Sequence, residues 1–321
     1  KIVAPYNLVK TMRAGILVLG PLLARFNKAI VSFPGGCLIG SRPIDIHLNA
    51  LAKLGVRYKF IKGYVHATAP NGLVGTKIKF KKISVGATEN LIIAASSAEG
   101  ETTLSNCAIE PEIQDLINFL NKMGSKIKWI AKRKIKIIGV KSFKKINYSI
   151  MFDRIEAGTM LIAGALIKGN LNIRSINPKI IKTEIDILKK IGVKIKTLKN
   201  QINVSGGKKI KSTNISTSPY PGFPTDLQAQ IMVLLCKANK KSTIKEKIFE
   251  NRFMHVPELN RMGAKIKING NKASIQGNIN FEGSEVTASD LRASVSLVLA
   301  ALSARGKSII HRIYHLDRGY E

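Results

Sequence analysis

Long apolar runs and cysteine are both scarce in this chain of 321 residues. The longest apolar run, 14–24, contains Pro21 and is well short of the roughly 20 residues that a membrane-spanning helix needs. No basic segment followed by an apolar one opens the chain, so we expect neither a signal peptide nor a membrane partner. The three cysteines, Cys37, Cys107 and Cys236, form an odd count without metal-site spacing, which favours a reducing, cytoplasmic location.

Acidic residues are also few. The chain has 20 of them and 52 lysines and arginines, so its formal net charge is +32. Such a charge can indicate a nucleic-acid partner. The lysines, however, mostly alternate with isoleucine, as in 126–128, 134–137 and 194–196, which is typical of strands with one buried face. Aromatic residues are only 6% of the chain and do not interleave with the basic runs. We therefore expect dispersed, solvent-facing lysines and no specific nucleic-acid partner, although non-specific binding to polyanions is expected.

Two kinds of chemical motif are missing as well. No glycine-rich stretch ends in Gly-Lys-Ser/Thr, so NTP hydrolysis is not supported. His311 and His315 are four residues apart in the sequence, but no carboxylate or cysteine completes a ligand set, so we expect no metal. His47, His66 and His255 stand alone and are interpreted as structural.

The chain does contain a repeat of about seventy residues. An apolar helix that ends in a glycine precedes a Lys/Ile strand four times, with the glycines at Gly55, Gly124, Gly192 and Gly263. A second helix, rich in small residues, recurs with the same period and leads into a short strand. This alternation of strand, helix, strand, strand and helix predicts an α/β fold.

The repeat also suggests how the chain is divided. A chain of 321 residues is long enough for two domains, and a change of composition near 144–151 predicts domains at 1–150 and 151–321. The segment 1–3 looks like the finishing strand of a unit, whereas 317–321 stops where a new helix should start. We therefore expect a fragment that is truncated at both ends.

The segment 34–45 combines three glycines with Cys37 and Arg42. Glycine allows backbone conformations that are closed to other residues, so this segment predicts a shaped loop. Pro43 suits the first turn of the next helix, and the free amides of that turn, with Arg42, would form an anion site beside the thiol. Because a thiol near positive charge ionises more readily, we interpret Cys37 as reactive. The alternative is a small buried hydrophobic residue in a tight turn.

Asp226 differs from the other polar residues that begin the small-residue helices, Thr11, Ser84, Asp153 and Asp290. Serine, threonine and aspartate at such positions usually cap the helix. Asp226 follows a proline-stiffened loop in which Thr225 could act as the cap, so the carboxylate could face a ligand as a base. Capping by Asp226 itself is an equally good interpretation.

Arginines recur at loop and helix-start positions in a chain where lysine supplies most of the positive charge. They favour forked recognition of phosphate or carboxylate. Surface ion pairs, such as Glu250 with Arg252, are the alternative. These positions are Arg13, Arg42, Arg154, Arg252, Arg292 and Arg318.

Together these motifs resemble the UDP-N-acetylglucosamine enolpyruvyl transferases of the EPSP synthase superfamily. The resemblance covers essentially the whole chain and rests on the segments 34–43, 82–86, 223–230, 249–253, 290–293 and 317–320. It implies two similar domains, each a pseudo-threefold inside-out α/β barrel of βαβαββ units, that close over a cleft. It also implies transfer of the enolpyruvyl group of phosphoenolpyruvate to the 3-hydroxyl of UDP-N-acetylglucosamine, in peptidoglycan synthesis, with these two molecules as partners and no cofactor.

The resemblance also implies roles for single residues. Cys37 would be the general acid and the target of fosfomycin, and Asp226 would take the proton of the sugar hydroxyl. The residues implied to hold the UDP-sugar are Arg13, Arg42, Pro43, Ile44, Asp45, Ile46, Lys82, Ile83, Ser84, Val85, Gly86 and Ile248. Those implied to neutralise phosphoenolpyruvate are Arg42, Arg252, Arg292 and Arg318, and Asp290 is included among the substrate-binding residues.

Two other functions are kept open. An enolpyruvylshikimate phosphate synthase would share the architecture, but the cysteine loop and the Asp-Arg-Gly-Tyr segment favour the sugar nucleotide. A truncated copy could instead be an inactive binding protein. The family's opening segment and closing helix are missing here, so we expect this sequence to be inactive if it is a full-length product.

Overall fold

The repeat folds as units of strands and helices in the computed structural model, which describes residues 1–320 except Thr11, 36–43, Lys168, Gly207, Lys208 and the side chain of Arg318. The first unit comprises β1 (Val3–Ala4), α1 (Tyr6–Val9), a 3-10 helix (Arg13–Val18), α2 (Leu19–Phe26), β2 (Lys28–Ser32), α3 (Asp45–Lys53), β3 (Arg57–Ile61) and β4 (Tyr64–Thr68). The second comprises β5 (Lys77–Lys79), α4 (Val85–Ala95), β6 (Glu101–Ser105), α5 (Pro111–Lys122), β7 (Lys126–Ala131) and β8 (Lys134–Ile138).

The same order of elements continues in the second half of the chain. The third unit comprises α6 (Arg154–Leu166), β9 (Asn170–Arg174), α7 (Lys182–Lys190), β10 (Lys194–Leu198) and β11 (Gln201–Ser205). The fourth comprises β12 (Asn214–Ser216), a 3-10 helix (Thr225–Leu227), α8 (Gln228–Cys236), β13 (Ser242–Lys245), α9 (Val256–Arg261), β14 (Ile266–Asn269) and β15 (Lys272–Ile275). The fifth comprises β16 (Glu285–Thr287), α10 (Leu291–Leu302), β17 (Ile309–His311) and a 3-10 helix (Ile313–Arg318).

Three units share one sheet topology. Their strands are ordered β1-β2-β4-β3, β5-β6-β8-β7 and β12-β13-β15-β14. In each sheet the first pair is parallel and the other two are antiparallel, as a crossover through a helix followed by a hairpin requires. The βαβαββ unit and the α/β class are therefore confirmed.

Two details of the sequence reading are wrong. Each of these units has one more strand than the sequence suggested, because β5 and β12 have only three residues, too few to show a period. The segment 1–3 was expected to finish a unit, but β1 pairs in parallel with β2 and is the opening strand of the first unit.

The four repeat glycines end their helices in the same way. Gly55, Gly124, Gly192 and Gly263 have φ values of 97°, 109°, 98° and 92°, in the left-handed region that glycine tolerates best. After each of them, the next amide bonds back to the helix, and the four bonds are Val56 N to Leu51 O, Ser125 N to Leu120 O, Val193 N to Leu188 O and Ala264 N to Leu259 O. This is the Schellman arrangement that satisfies the last carbonyls of a helix.

The chain forms two compact units, each with its own hydrophobic core. One unit extends to Met151 and the other begins at Phe152. One core gathers buried side chains between Ile16 and Ile137, and the other between Ile155 and Ala300. The assignment of 1–150 and 151–321 as enolpyruvyl-transferase-type domains stays a prediction.

The helices rich in small residues lie inside these units, whereas the lysine-rich strands have an exposed face. All nine residues of α8 are buried, and seven of them are apolar, so this helix has no solvent-facing side. The outer strands alternate instead, so that Lys126 and Lys128 are exposed whereas Ile127 is buried. Among the described helices, none is long and apolar enough to cross a membrane.

Candidate functional site

Asp226 lies in the 3-10 helix that leads into α8, and its carboxylate contacts two arginines. Arg252 Nη2 donates to Asp226 Oδ1, and Arg292 Nη2 lies 3.4 Å from Asp226 Oδ2. The Arg252 and Arg292 side chains are 5% and 16% exposed, whereas that of Asp226 is 41% exposed. Two largely buried guanidinium groups thus hold a carboxylate that solvent reaches.

Thr225 and Asp226 were both possible caps of this helix, but neither the 3-10 helix nor α8 has a side-chain cap hydrogen bond. The Thr225 side chain has another partner. Its hydroxyl donates instead to Glu246 Oε2 over 2.9 Å. A surface ion pair with Glu250 was the alternative interpretation of Arg252. Arg252 is instead buried and paired with Asp226. The real caps are Ser84, Asp153 and Asp290, each of which accepts hydrogen bonds from the first turn of its helix.

Positive charge dominates around Asp226. Burial by itself would raise the pKa of Asp226, but Arg292 and Arg252, with Arg154, lower it below its ordinary value. Burial also acts against the charge on Arg292, but Asp226 and Tyr320 raise the pKa of that guanidinium. The carboxylate is therefore ionised at neutral pH. Asp153 also raises the pKa of Arg292, so the guanidinium groups here already have acidic neighbours.

A chain of polar side chains holds Arg292 from its other side. Arg292 Nη1 donates to the Tyr320 hydroxyl over 3.2 Å, and that hydroxyl lies 2.9 Å from Thr159 Oγ1. Gln230 Nε2 donates both to Thr159 Oγ1 over 3.2 Å and to the carbonyl oxygen of Asp226 over 2.9 Å. Side chains of α6, α8 and α10 are thereby joined around one carboxylate.

Asp290 positions Arg292 rather than facing solvent. It is buried, and its Oδ1 accepts from Arg292 N over 3.0 Å and Ala293 N over 3.2 Å, which fixes the start of α10. Burial lowers the pKa of nearby His255 to about 4, with Asp290 acting against this shift and Arg252 adding to it. His255 is therefore neutral at physiological pH.

Glu246 is a residue that the sequence analysis missed. It is 1% exposed, and its Oε1 accepts from Thr217 Oγ1 (2.8 Å), Ile248 N (2.7 Å) and Phe249 N (3.3 Å). Its other oxygen, Oε2, accepts from the Thr225 hydroxyl. A single acid in a Lys-Glu-Lys run, directly after an alternating strand, was the available signal. Ile248, one of the predicted UDP-sugar residues, is half-buried at this cluster.

In the other unit, a buried histidine lies among the predicted UDP-sugar residues. Asn90 Oδ1 accepts from Gly20 N over 2.7 Å, and Asn90 Nδ2 donates to Ile16 O and to His47 Nδ1, both over 3.1 Å. Because this amide donates to Nδ1, the neutral His47 carries its proton on Nε2. Burial, with Arg13, lowers the pKa of His47 to about 4, while Asp45 acts the other way.

Several predicted residues meet around this histidine. Asp45 begins α3, the helix that carries His47, and Gly86 lies so close that a Cβ on it would be 3.3 Å from His47 Cε1. Ser84 caps α4 by accepting from Ala87 N over 3.2 Å. Ile44 is buried and Lys82 is exposed, and the residues that pack partly buried against the core are Ile46, Ile83 and Val85. The structure thus brings the first turns of α3 and α4 and the side chain of Arg13 together.

Other predicted residues lie outside the part of the chain that the structure describes. These are Cys37, Arg42, Pro43 and the side chain of Arg318. Their roles stay predictions. The remaining cysteines, Cys107 and Cys236, are free and buried, and burial raises the pKa of each to about 12, so neither offers a reactive thiolate.

The described residues offer little for a metal ion. Over those residues, no group of three or more His, Cys, Asp and Glu side chains is arranged to hold a metal ion. His311 does contact an acid, since its Nε2 lies 2.6 Å from Glu285 Oε1, but this is an exposed pair.

Comparisons with known proteins agree on one group. A family model described as EPSP synthase (3-phosphoshikimate 1-carboxyvinyltransferase) matches residues 1–321. The chain is 73% identical over 321 residues to a UDP-N-acetylglucosamine 1-carboxyvinyltransferase of Pelagibacter ubique (strain HTCC1062), covering 100% of this chain and 77% of that protein. It is 51% identical over 319 residues to the protein of that name from Coxiella burnetii (strain Dugway 5J108-111), covering 99% and 74%.

Solved structures show the same fold. The enolpyruvyl transferase NikO from Streptomyces tendae is similar with a TM-score of 0.89 at 23% identity, covering 100% of this chain and 76% of that one. An EPSP synthase from Acinetobacter baumannii is similar with a TM-score of 0.71 at 19% identity, covering 96% and 74%. At these identities the likeness concerns the fold alone, and the predicted fold of the superfamily is confirmed.

Proposed function

Because the chain belongs to the EPSP synthase family, we propose that it transfers the enolpyruvyl group of phosphoenolpyruvate to the 3-hydroxyl of UDP-N-acetylglucosamine and releases phosphate. The chain is an enolpyruvyl transferase. The acceptor follows from relatives that are 73% and 51% identical and are named for this sugar nucleotide. The reaction is an early step of peptidoglycan synthesis.

The observation that carries the proposal is the group formed by Asp226, Arg252 and Arg292. The reaction joins two anionic substrates, so fixed cations are needed before the substrates can approach each other. Arg252 and Arg292 are cations that the fold already holds in place. Asp226 is an ionised carboxylate that solvent reaches, which is what acceptance of a hydroxyl proton requires.

The proposed chemistry has two stages. In the first, the sugar hydroxyl oxygen bonds to C2 of phosphoenolpyruvate, its proton passes to Asp226, and a proton from Cys37 goes to the methylene carbon. In the second, the new methyl group returns a proton to the Cys37 thiolate and the C–O bond to phosphate breaks, which leaves an enolpyruvyl ether. The departing phosphate takes up the proton held by Asp226. Four arginines are proposed to neutralise phosphoenolpyruvate throughout, namely Arg42, Arg252, Arg292 and Arg318.

The UDP-sugar is assigned to the residues around His47 and to three others. Arg13 and the first turns of α3 and α4 offer a cation and backbone amides, which suit phosphate oxygens. Arg42, Pro43 and Ile248 complete the proposed set. We also propose that the protein acts in the cytoplasm, because its cysteines include the free thiols of Cys107 and Cys236.

The test compares two acceptors by ligand-induced stabilisation. UDP-N-acetylglucosamine at 100 times its Kd should stabilise the folded protein by about 2.7 kcal/mol, because a ligand that binds only the folded state shifts the unfolding equilibrium. Shikimate 3-phosphate should leave the melting temperature unchanged. Phosphate release from phosphoenolpyruvate should then require UDP-N-acetylglucosamine. Stabilisation by shikimate 3-phosphate alone would assign the chain to the other branch of the family.

A further inference from the structure

We propose that Glu246 is a positioning residue, which sets the place of Asp226 relative to Arg252 by binding the two segments that carry them. The inference rests on the proposed function for its catalytic meaning. Glu246, Asp226 and Arg252 all lie in the unit that begins at Phe152.

Glu246 contacts both segments at positions close to the two charged residues. On one side, its Oε2 accepts from the hydroxyl of Thr225, the residue next to Asp226. On the other side, its Oε1 accepts from the amides of Ile248 and Phe249, just before Arg252. One carboxylate therefore joins the start of the 3-10 helix to the loop after β13.

Phe249 extends this link to the arginine itself. The Arg252 guanidinium carbon lies 5.5 Å from the centroid of the Phe249 ring, within the range of a cation–π contact. The amide of the same residue bonds to Glu246. Arg252 is thus held between the Phe249 ring and the Asp226 carboxylate, and Glu246 binds the backbone before Arg252 and the Thr225 side chain before Asp226.

Further hydrogen bonds, made by Thr217, hold Glu246 in place. Thr217, the residue after β12, donates to Glu246 Oε1 and accepts from Lys247 N over 2.9 Å. Thr217 N donates to Lys245 O over 3.0 Å. These bonds continue the parallel pairing of β12 with β13. Because a buried carboxylate is stable only when its oxygens are hydrogen-bonded, the donors that converge on Glu246 must stay together.

For the ion pair of Asp226 with Arg252, the orientation of the two groups matters more than the strength of their attraction. A carboxylate and a guanidinium bond well only when their planes and lone pairs align, and a displacement of one ångström in an active site can reduce turnover on the order of 100-fold. Asp226 and Arg252 lie on segments that are 26 residues apart in sequence.

The informative variant is Thr225→Val, which removes one hydroxyl and keeps the shape of the side chain. Glu246→Ala would leave several donors unpaired in a buried site, so it is expected to unfold the unit. Thr225→Ser keeps the hydroxyl and serves as the conservative rescue. Thr243→Val is the matched control, because Thr243 is also half-buried and its hydroxyl donates to Asn214 Oδ1, away from the site.

The first readout needs no substrate. Titration of ¹³C-labelled aspartate carboxyls, with the Asp226 signal identified by its loss in Asp226→Asn, reports how closely Arg252, Arg292 and Arg154 face this carboxylate. In Thr225→Val the measured pKa of Asp226 should rise by about one unit, because its pairing loosens. It should stay at the wild-type value in Thr225→Ser and Thr243→Val.

The second readout is turnover with phosphoenolpyruvate and UDP-N-acetylglucosamine. We expect kcat to fall about tenfold in Thr225→Val with a smaller change in KM, because the defect lies in alignment rather than in binding. An unchanged Asp226 pKa in Thr225→Val, or an equal shift in Thr243→Val, would overturn the proposal. Absence of turnover in the wild type would instead count against the proposed function, and the titration would still decide the role of Glu246.

Discussion

At the scale of single residues, Asp226 and an anionic substrate must compete for the same two guanidinium groups. Arg252 and Arg292 both contact the carboxylate, and both are mostly buried, so neither has a second open side to offer. Phosphoenolpyruvate must therefore take over contacts that Asp226 now makes. That exchange would raise the pKa of Asp226 and make it a better base.

This competition gives a prediction for Asp226→Asn. The variant should bind phosphoenolpyruvate about tenfold more tightly, or about 1.4 kcal/mol, because the internal anion is gone, while turnover is lost. Calorimetric titration measures the affinity. Asp186→Asn, on the exposed side of α7, changes the net charge equally and should bind as the wild type does. Equal or weaker binding by Asp226→Asn than by Asp186→Asn would contradict the competition.

At the scale of elements, each of the first four units has one glycine that ends a helix. Gly263 follows α9 with φ at 92°, and a Cβ on it would meet only Asn280 O at 3.5 Å, an ordinary contact distance. The cost of adding a side chain here is therefore a backbone cost. Because this backbone conformation favours glycine, the glycines in the sequence predicted the helix ends correctly.

Gly263→Ala should lower the free energy of unfolding by about 1 kcal/mol, because a left-handed conformation is unfavourable for residues with a Cβ. Gly169→Ala is the control: Gly169 is not among the positive-φ glycines, and its Cβ would lie 3.6 Å from Ile167. Urea unfolding of both variants makes the comparison. If the two glycine variants lose the same stability, backbone strain at the helix end is not the cause.

At the scale of the whole molecule, each compact unit buries one neutral histidine. His47 lies in one unit and His255 in the other, and burial is the main cause that lowers the pKa of each from 6.5 to about 4. The unfolded chain takes up a proton at a higher pH than the folded chain does. Stability is therefore complete above about pH 6.5 and is lost as the pH falls toward 4.

Between pH 7.5 and pH 5 we expect each buried histidine to reduce the free energy of unfolding by about 2 kcal/mol. His255→Gln should remove one of these contributions and flatten the pH dependence, as measured by urea unfolding at several pH values. His66→Gln retains both buried histidines and should keep the full slope. A slope that His255→Gln leaves unchanged would show that this histidine is not responsible.

Sequence alone was sufficient for the repeat, its class and its helix ends. Alternation of lysine and isoleucine predicted strands with one buried face, and glycine predicted left-handed helix ends, because both effects act between residues close in the chain. The same local signals could not separate a capping aspartate from Asp226. They also missed β5 and β12, since strands of three residues are recognised by their partners rather than by a period.

Only the tertiary structure decided which polar residues work together. Asp226 meets Arg252 and Arg292 across 26 and 66 residues of sequence, and His47 meets Asn90 across 43. Glu246 gathers donors from three segments that no motif connects. The direction of a side chain depends on how helices and strands of different repeats pack against each other, and that packing is fixed by the burial of the whole core rather than by any local pattern.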